Sequence, residues 1–184
     1  MNYNLPQALE IIERTPLVLE MMLKNISDEW THCNEGGETW SAFDIVGHLL
    51  HGDVTDWIPR LEMILSDAES RVFTKFDRFA QFEESKGKSM IQLLEEFKHA
   101  RAKNMMSLKS KNITEKDLDK TATHPSLGEV TLRNLLSTWV AHDLNHIAQI
   151  CRVMAKQYKT EVGVWAEYLR IINNEQLTIN NLQK

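Results

Sequence analysis

Apolar residues recur along this chain at three- and four-residue spacing, and that rhythm predicts helices nearly throughout. Over residues 5–26, Leu9, Ile12, Leu17, Leu19, Met22 and Leu23 mark the buried face of a first helix. Pro6 suits its first turn, and Pro16 predicts a kink after Thr15. Residues 27–40 form a connection with Asn34, Gly36 and Gly37 as turn residues. Ser41 reads as an N-cap, with Asp44 at the third helical position. The second helix runs over about residues 42–65. Phe43, Gly47, Leu50, Val54, Trp57, Leu61 and Leu65 form its apolar stripe, and Asp44, His48, His51 and Thr55 a separate flank. Pro59 predicts a kink in its last two turns.

Residues 66–87 are mixed, with Phe73, Phe76, Phe79 and Phe82 at threes, which suggests a short helix folded onto the others. Ser89 caps a third helix over about 90–109, with Ile91, Leu94, Phe97, Met105 and Leu108 apolar and the rest strongly charged. Residues 110–130 are a polar connection ending in HPSLGEV. Thr131 reads as the cap of a fourth helix reaching about residue 156, and a short fifth helix covers about 164–172. A polar, frayed tail is expected over about 173–184. No stretch reads as a strand. Connections this long after the second and third helices allow crossovers in place of simple hairpins. The pattern therefore predicts an all-α, single-domain protein over residues 1–184: a four-helix bundle with long crossover connections and a short C-terminal fifth helix.

Composition agrees. The 184 residues can bury a sizeable core, and seven glycines with four prolines leave little room for the turns of an all-β fold. A net charge of −5 gives no footprint for nucleic acid. No apolar run approaches a membrane span, and no basic-then-apolar leader stands at the N-terminus. A soluble cytoplasmic protein is the expectation. Cys33 and Cys151 read as two inert thiols.

The chemistry concentrates in AHDLNHIAQ of the fourth helix. His142 and His146 lie at i and i+4, which places both imidazoles on one face where they can chelate one metal ion. With Leu132 at zero on a helical wheel, His146 falls at about −40° and His142 at about −80°, on the shoulder of the apolar face. Asp143 falls near its centre, at about 20°, where a carboxylate is costly unless paired. A third ligand is needed. His48 of the second helix, beside Gly47 and Gly52, is one choice, and His51, three residues on, is the other. Three histidines from two helices with open positions left over would make a catalytic-type metal site. Asp44 and Asp143 are candidates to orient ligating imidazoles. His124 could reach the site from the connection before the fourth helix, His99 reads as solvated, and His32 has no partner in sequence. No glycine-rich phosphate loop, nucleophile elbow or paired-carboxylate motif occurs.

These residues carry a family resemblance. The stretches TWSAFDIVGHLLHGDVTDWIPR, FDRFAQFEESKGKS and HPSLGEVTLRNLLSTWVAHDLNHIAQI, with VGVWAEYL near the end, resemble the DinB-like (damage-inducible B) superfamily, which includes YfiT-like bacillithiol and mycothiol transferases. The resemblance implies a bundle with crossover connections and a divalent metal held by His48, His142 and His146, in preference to His51. It also implies a homodimer. The expected function is a metal-dependent enzyme acting on a small molecule, either a thiol S-transferase using a low-molecular-weight thiol as co-substrate or a hydrolase, with zinc, nickel or iron as the metal. His51, Asp44 or His124 would accept the proton. The competing expectation is a metal-binding or stress-response protein without catalysis.

Overall fold

In the computed structural model, residues 3–173 are described. The expected polar tail lies outside them except for Asn173. The first predicted helix is two: α1 (Leu5–Ile12) and α2 (Thr15–Leu23). Pro16 lacks an amide proton and its ring would collide with the carbonyl four residues back, that of Ile12. A short α3 (Asp28–His32) follows.

The second predicted helix also divides, into α4 (Ala42–Thr55) and α5 (Trp57–Leu65). The break falls at Asp56 (φ −117°, ψ −62°), a turn earlier than a kink at Pro59 itself would put it. The reason is the same: Pro59 acts on the carbonyl of Thr55, four residues back. The start of α4 is closed by a capping box, with Ser41 accepting from the Asp44 amide and Asp44 bonding back to the Ser41 amide. The next helices are α6 (Ala80–Glu84) and α7 (Met90–Ser110).

Residues 121–131 depart from the all-helical expectation. Strands β1 (Thr121–His124) and β2 (Gly128–Thr131) form an antiparallel hairpin with Thr121 opposite Thr131. Each strand has only four residues, too short for period-two alternation to stand out. Gly128 supplies the positive φ (80°) at the turn. Val72 bridges to Thr123, which ties the preceding long connection to the hairpin. Helix α8 (Leu132–Lys156) follows from a second capping box, Thr131 with Asn134. The expected fifth helix is a 3-10 segment, Gly163–Tyr168, followed by a four-residue α9 (Arg170–Asn173).

The bundle is built from α1–α2, α4–α5, α7 and α8, joined by the two long connections. Its core is two apolar compartments. One holds Ile12, Trp57, Leu61, Ile64, Met105, Leu136 and Trp139. The other holds Leu19, Leu49, Leu93, Phe97, Ile150 and Val153. Each bundle helix passes from one compartment to the other, and at the crossing level it carries a break or a polar side chain. The first breaks after Ile12, α4 carries Asp53, α7 carries Arg101 and α8 carries Asp143. The fold thus has a polar waist.

Arg101, 1% exposed, fills the waist. Its Nε and Nη2 donate to Asp53 at 2.7 and 3.0 Å, and Nη1 and Nη2 donate to Asp143. Nη1 also donates to the Ile12 carbonyl that Pro16 leaves without a helical partner, at 2.7 Å. Asn104 Nδ2 donates to the Asp53 carbonyl near the second break, at 2.7 Å. Helix α7 thus supplies a donor to a main-chain carbonyl at or near each break. The buried face of α4 also differs from the predicted stripe. Ile45, Leu49 and Asp53 are buried with His48, and Val54 is exposed, because α3, α6, α7 and α8 all pack on this helix. No helix among the described residues is long and apolar enough to cross a membrane.

Candidate metal centre

At the waist, α4 and α8 bring three imidazoles together. His48, His142 and His146 each offer one nitrogen, and these nitrogens lie within 4.8 Å of one another. His142 Nε2 is 3.2 Å from His48 Nε2 and 3.2 Å from His146 Nε2. Nitrogen ligands about 2.0–2.1 Å from a tetrahedral zinc stand about 3.3–3.4 Å apart, so the spacing suits a shared ion.

Proton accounting favours the same conclusion. With Gln149 presenting its Oε1, His146 Nδ1 donates to it at 2.8 Å, and His146 Nε2 is left as a bare acceptor. Burial holds His48 down at about 3, with help from the neighbouring His146, His51 and Arg78. Burial also puts His142 well below the usual histidine range and lowers His146, against the opposing pull of Gln149 and Asp143. All three rings are neutral near pH 7. One proton on His142 Nε2 can satisfy one neighbour only, so a lone pair is left facing another nitrogen. A cation at the shared point satisfies all three at once, and neutral imidazole is the form that binds it. The Nδ1 atoms of His48 and His142 are buried without a hydrogen-bond partner.

The other predicted residues fall elsewhere. His51 is buried on α4, but its Nδ1 pairs with Glu84 Oε2 of α6 at 2.8 Å and its ring packs on Phe76 at 5.0 Å. Asp44 is engaged by the Ser41 amide and hydroxyl, at 2.9 and 2.7 Å. Asp143 faces Arg101. His124 lines the cavity over the site, and its Nδ1 accepts from the amides of Ser126 and Leu127, which leaves Nε2 as the protonated nitrogen of the neutral ring. His99 is exposed. His32 stacks on Phe43 at 4.8 Å, and neither joins the cluster. Gly47, expected to leave room beside His48, instead seats α6: a Cβ there would lie 2.5 Å from Ser85 Oγ and 2.7 Å from Gln81 Oε1.

The three histidines open into a cavity of about 830 Å³. Its walls include side chains to which the sequence reading gave no role at the site. Trp40 packs on His48 with ring centres 4.9 Å apart, and Trp57 on His142 at 5.2 Å. Asp56, at the helix break, lines the cavity beside Arg60, with Nε 2.7 Å from Oδ1. Burial pushes Asp56 up to about 6, in spite of Arg60. Arg78 and Arg152 complete the basic wall. A charged residue at a helix break and a gap in an apolar stripe at Arg101 were the available signals.

No curated protein matches the sequence. Among solved structures, the fold is similar to that of YfiT from Bacillus subtilis, with a TM-score of 0.71 and 20% identity over 83% of this chain and 86% of that one. That protein is described as "a probable metal-dependent hydrolase with an unusual four-helix bundle topology". At this identity the likeness speaks for the fold. By sequence, the DinB superfamily matches residues 11–150, and the chain belongs to that superfamily.

Proposed function

We propose that this protein is a metal-dependent enzyme that activates water or a low-molecular-weight thiol for attack on a small-molecule electrophile. One observation carries the reading: three neutral imidazole nitrogens converge where α4 meets α8, and they line a cavity large enough for a small molecule. His48, His142 and His146 would hold a divalent zinc, nickel or iron ion. Such an ion supplies Lewis acidity, which makes water or a thiol nucleophilic at neutral pH.

The chain's own residues do the rest. Gln149 fixes the His146 ring through Nδ1. Trp40, Trp57 and Phe76 wall the site with apolar surface. Asp56 is the proton acceptor through Oδ2, the oxygen opposite its contact with Arg60, and a carboxyl near about 6 is matched to that work at neutral pH. Asp44 and His51, bonded to Ser41 and Glu84, support the two ends of this region of α4 without reaching the cavity around the imidazoles. The protein is read as a cytoplasmic homodimer, a state that light scattering on the purified chain measures directly.

The test begins with protein purified without chelator or added metal. Near-stoichiometric divalent metal is expected, and His142→Ala should lose it. The loaded protein is then offered an activated electrophile with and without a low-molecular-weight thiol. Thiol-dependent conjugation identifies a transferase, and thiol-independent hydrolysis a hydrolase. Metal binding without turnover of either kind would favour the non-catalytic alternative. Absence of metal, before and after titration, would refute the proposal. Asp56→Asn should lower kcat about 10²-fold or more and remove an acid limb near pH 6, since the carboxylate is the active form and the rate rises with pH through that value.

A further inference from the structure

The basic wall of the cavity is unevenly committed. Arg60 is held by Asp56 and lies over the Phe73 ring at 5.0 Å. Arg152 Nε donates to Glu35 at 2.8 Å, and Lys156 binds the other oxygen of the same carboxylate. Arg78 differs. Among the described residues its guanidinium makes neither a hydrogen bond nor an ion pair, although it is half-buried and lines the cavity. The acidic lining is Asp56, already paired with Arg60, and Glu38, exposed at the rim.

Arg78 is not a loose surface chain. The segment that carries it is pinned on both sides of the site. Phe76 packs edge-on against His48 with ring centres 5.7 Å apart, and Phe82 packs edge-on against Trp40 at 6.3 Å. Between them, Asp77 Oδ1 accepts from the amides of Phe79 and Ala80, at 3.0 and 3.3 Å, and fixes the turn in which Arg78 sits. Arg78 and the three histidines line the same cavity. A cation fixed in the wall of a cavity where three nitrogens gather a dication weakens metal binding unless an anion lies between them.

Building on the proposed metal site, we infer that Arg78 forms a subsite for an anionic group of the substrate, so that the protein takes small molecules carrying a terminal carboxylate or phosphate. The guanidinium fork matches either group bidentately. The substrate spans the cavity, with its oxyanion on Arg78 and its reacting end toward the histidines.

The test uses full-length protein loaded with cobalt(II), whose visible spectrum reports the three-histidine site. Acetate is the one-headed probe. Malonate, succinate, glutarate and phosphonoacetate are the two-headed ones, and the last separates phosphate from carboxylate recognition. At least one two-headed probe should bind about tenfold or more tightly than acetate, the scale of a charge-assisted hydrogen-bonded pair. In Arg78→Gln that advantage should fall to within about threefold while acetate affinity holds, because the acetate site remains. The variant should also bind cobalt(II) more tightly than the wild type in the absence of anions. Circular dichroism establishes that it is folded. If two-headed probes bind no better than acetate, or keep their advantage in Arg78→Gln, the subsite is refuted and the metal site stands. If cobalt(II) is not taken up at the histidines, both are overturned.

Discussion

Replacing Arg101 by methionine is the sharpest test of the polar waist. The native guanidinium makes five hydrogen bonds, to Asp53, Asp143 and the Ile12 carbonyl. Methionine fills much of the volume but removes every donor. Two buried carboxylates and one carbonyl are then left without their partner. Breaking a buried ion pair by removing one side costs about 3–5 kcal/mol, a large share of the roughly 5–15 kcal/mol that holds a domain together. The cost should depend on pH with a definite sign. Asp53 is already pushed up to about 6 by burial, against Arg101, and losing the cation raises it further. A carboxyl whose folded value lies above its unfolded one contributes stability that falls as pH rises from about 4 through the folded value. The penalty of Arg101→Met should therefore be largest near pH 7.5 and shrink toward pH 5.5. Urea unfolding followed by circular dichroism at several pH values measures it. Replacing Asp53 and Asp143 by leucine in the same chain should recover much of the loss, since apolar substitutes for a whole buried ion cluster are often neutral or better. A loss below about 1 kcal/mol, or one that does not change with pH, would refute the reasoning.

The two glycines of α4 should respond in opposite directions. Gly47→Ala meets Ser85 and Gln81 of α6 at 2.5 and 2.7 Å and should destabilise by about 1–2 kcal/mol. Gly52→Ala meets only Trp57 Nε1, at 3.6 Å, and should show the ordinary helical gain of about 1 kcal/mol. Both are read by chemical denaturation of the metal-free protein, and equal responses would count against the close seating of α6. Protein freed of metal should lose stability as pH drops below about 6.5, because histidines in the unfolded chain take up protons that the buried ones, all lowered by burial, refuse until lower pH, about 3 for His48. Asp53 and Asp56, both held up at about 6, oppose this between roughly pH 6 and 4. A melting curve measured against pH should therefore fall most steeply just below 6.5, and a flat profile there would contradict the burial of the three rings.

The parts legible in sequence were those that local rules determine. Ser41, Ser89 and Thr131 each close a capping box, with Asp44, Gln92 and Asn134 as the reciprocal partners. Pro16 divides the first helix, and Asp143 is fully buried on the apolar face of α8. The break before Pro59 was displaced because a proline disturbs the carbonyl behind it. The hairpin at residues 121–131 was missed because four-residue strands carry too few side chains to show alternation. The predicted stripe of α4 took in Gly47, Leu50, Trp57 and Leu61, which are buried, but it left out Ile45, Leu49 and Asp53, because a central helix is buried on several sides and burial there does not follow one stripe. Asp143 could be recognised as an anomaly, but its partner is 42 residues away on α7, a distance no local pattern spans. The same limit hid Trp40, Asp56 and Arg78, which reach the cavity only through the packing of connections onto the bundle.

The crowding of aromatic rings around the histidines gives the molecule an internal optical probe. Of its five tryptophans, Trp40 and Trp57 touch imidazoles of the cluster, and Trp139 stacks on Trp57 with ring centres 5.2 Å apart and planes 7° from parallel. Trp30 and Trp165 lie apart, against Tyr158 and Tyr168. More than half of the indole chromophores therefore sit at the one place where occupancy changes. A paramagnetic ion or an absorbing ligand entering the cluster quenches those rings and leaves the two distant ones shining, so binding can be followed in the unlabelled protein by its own ultraviolet emission.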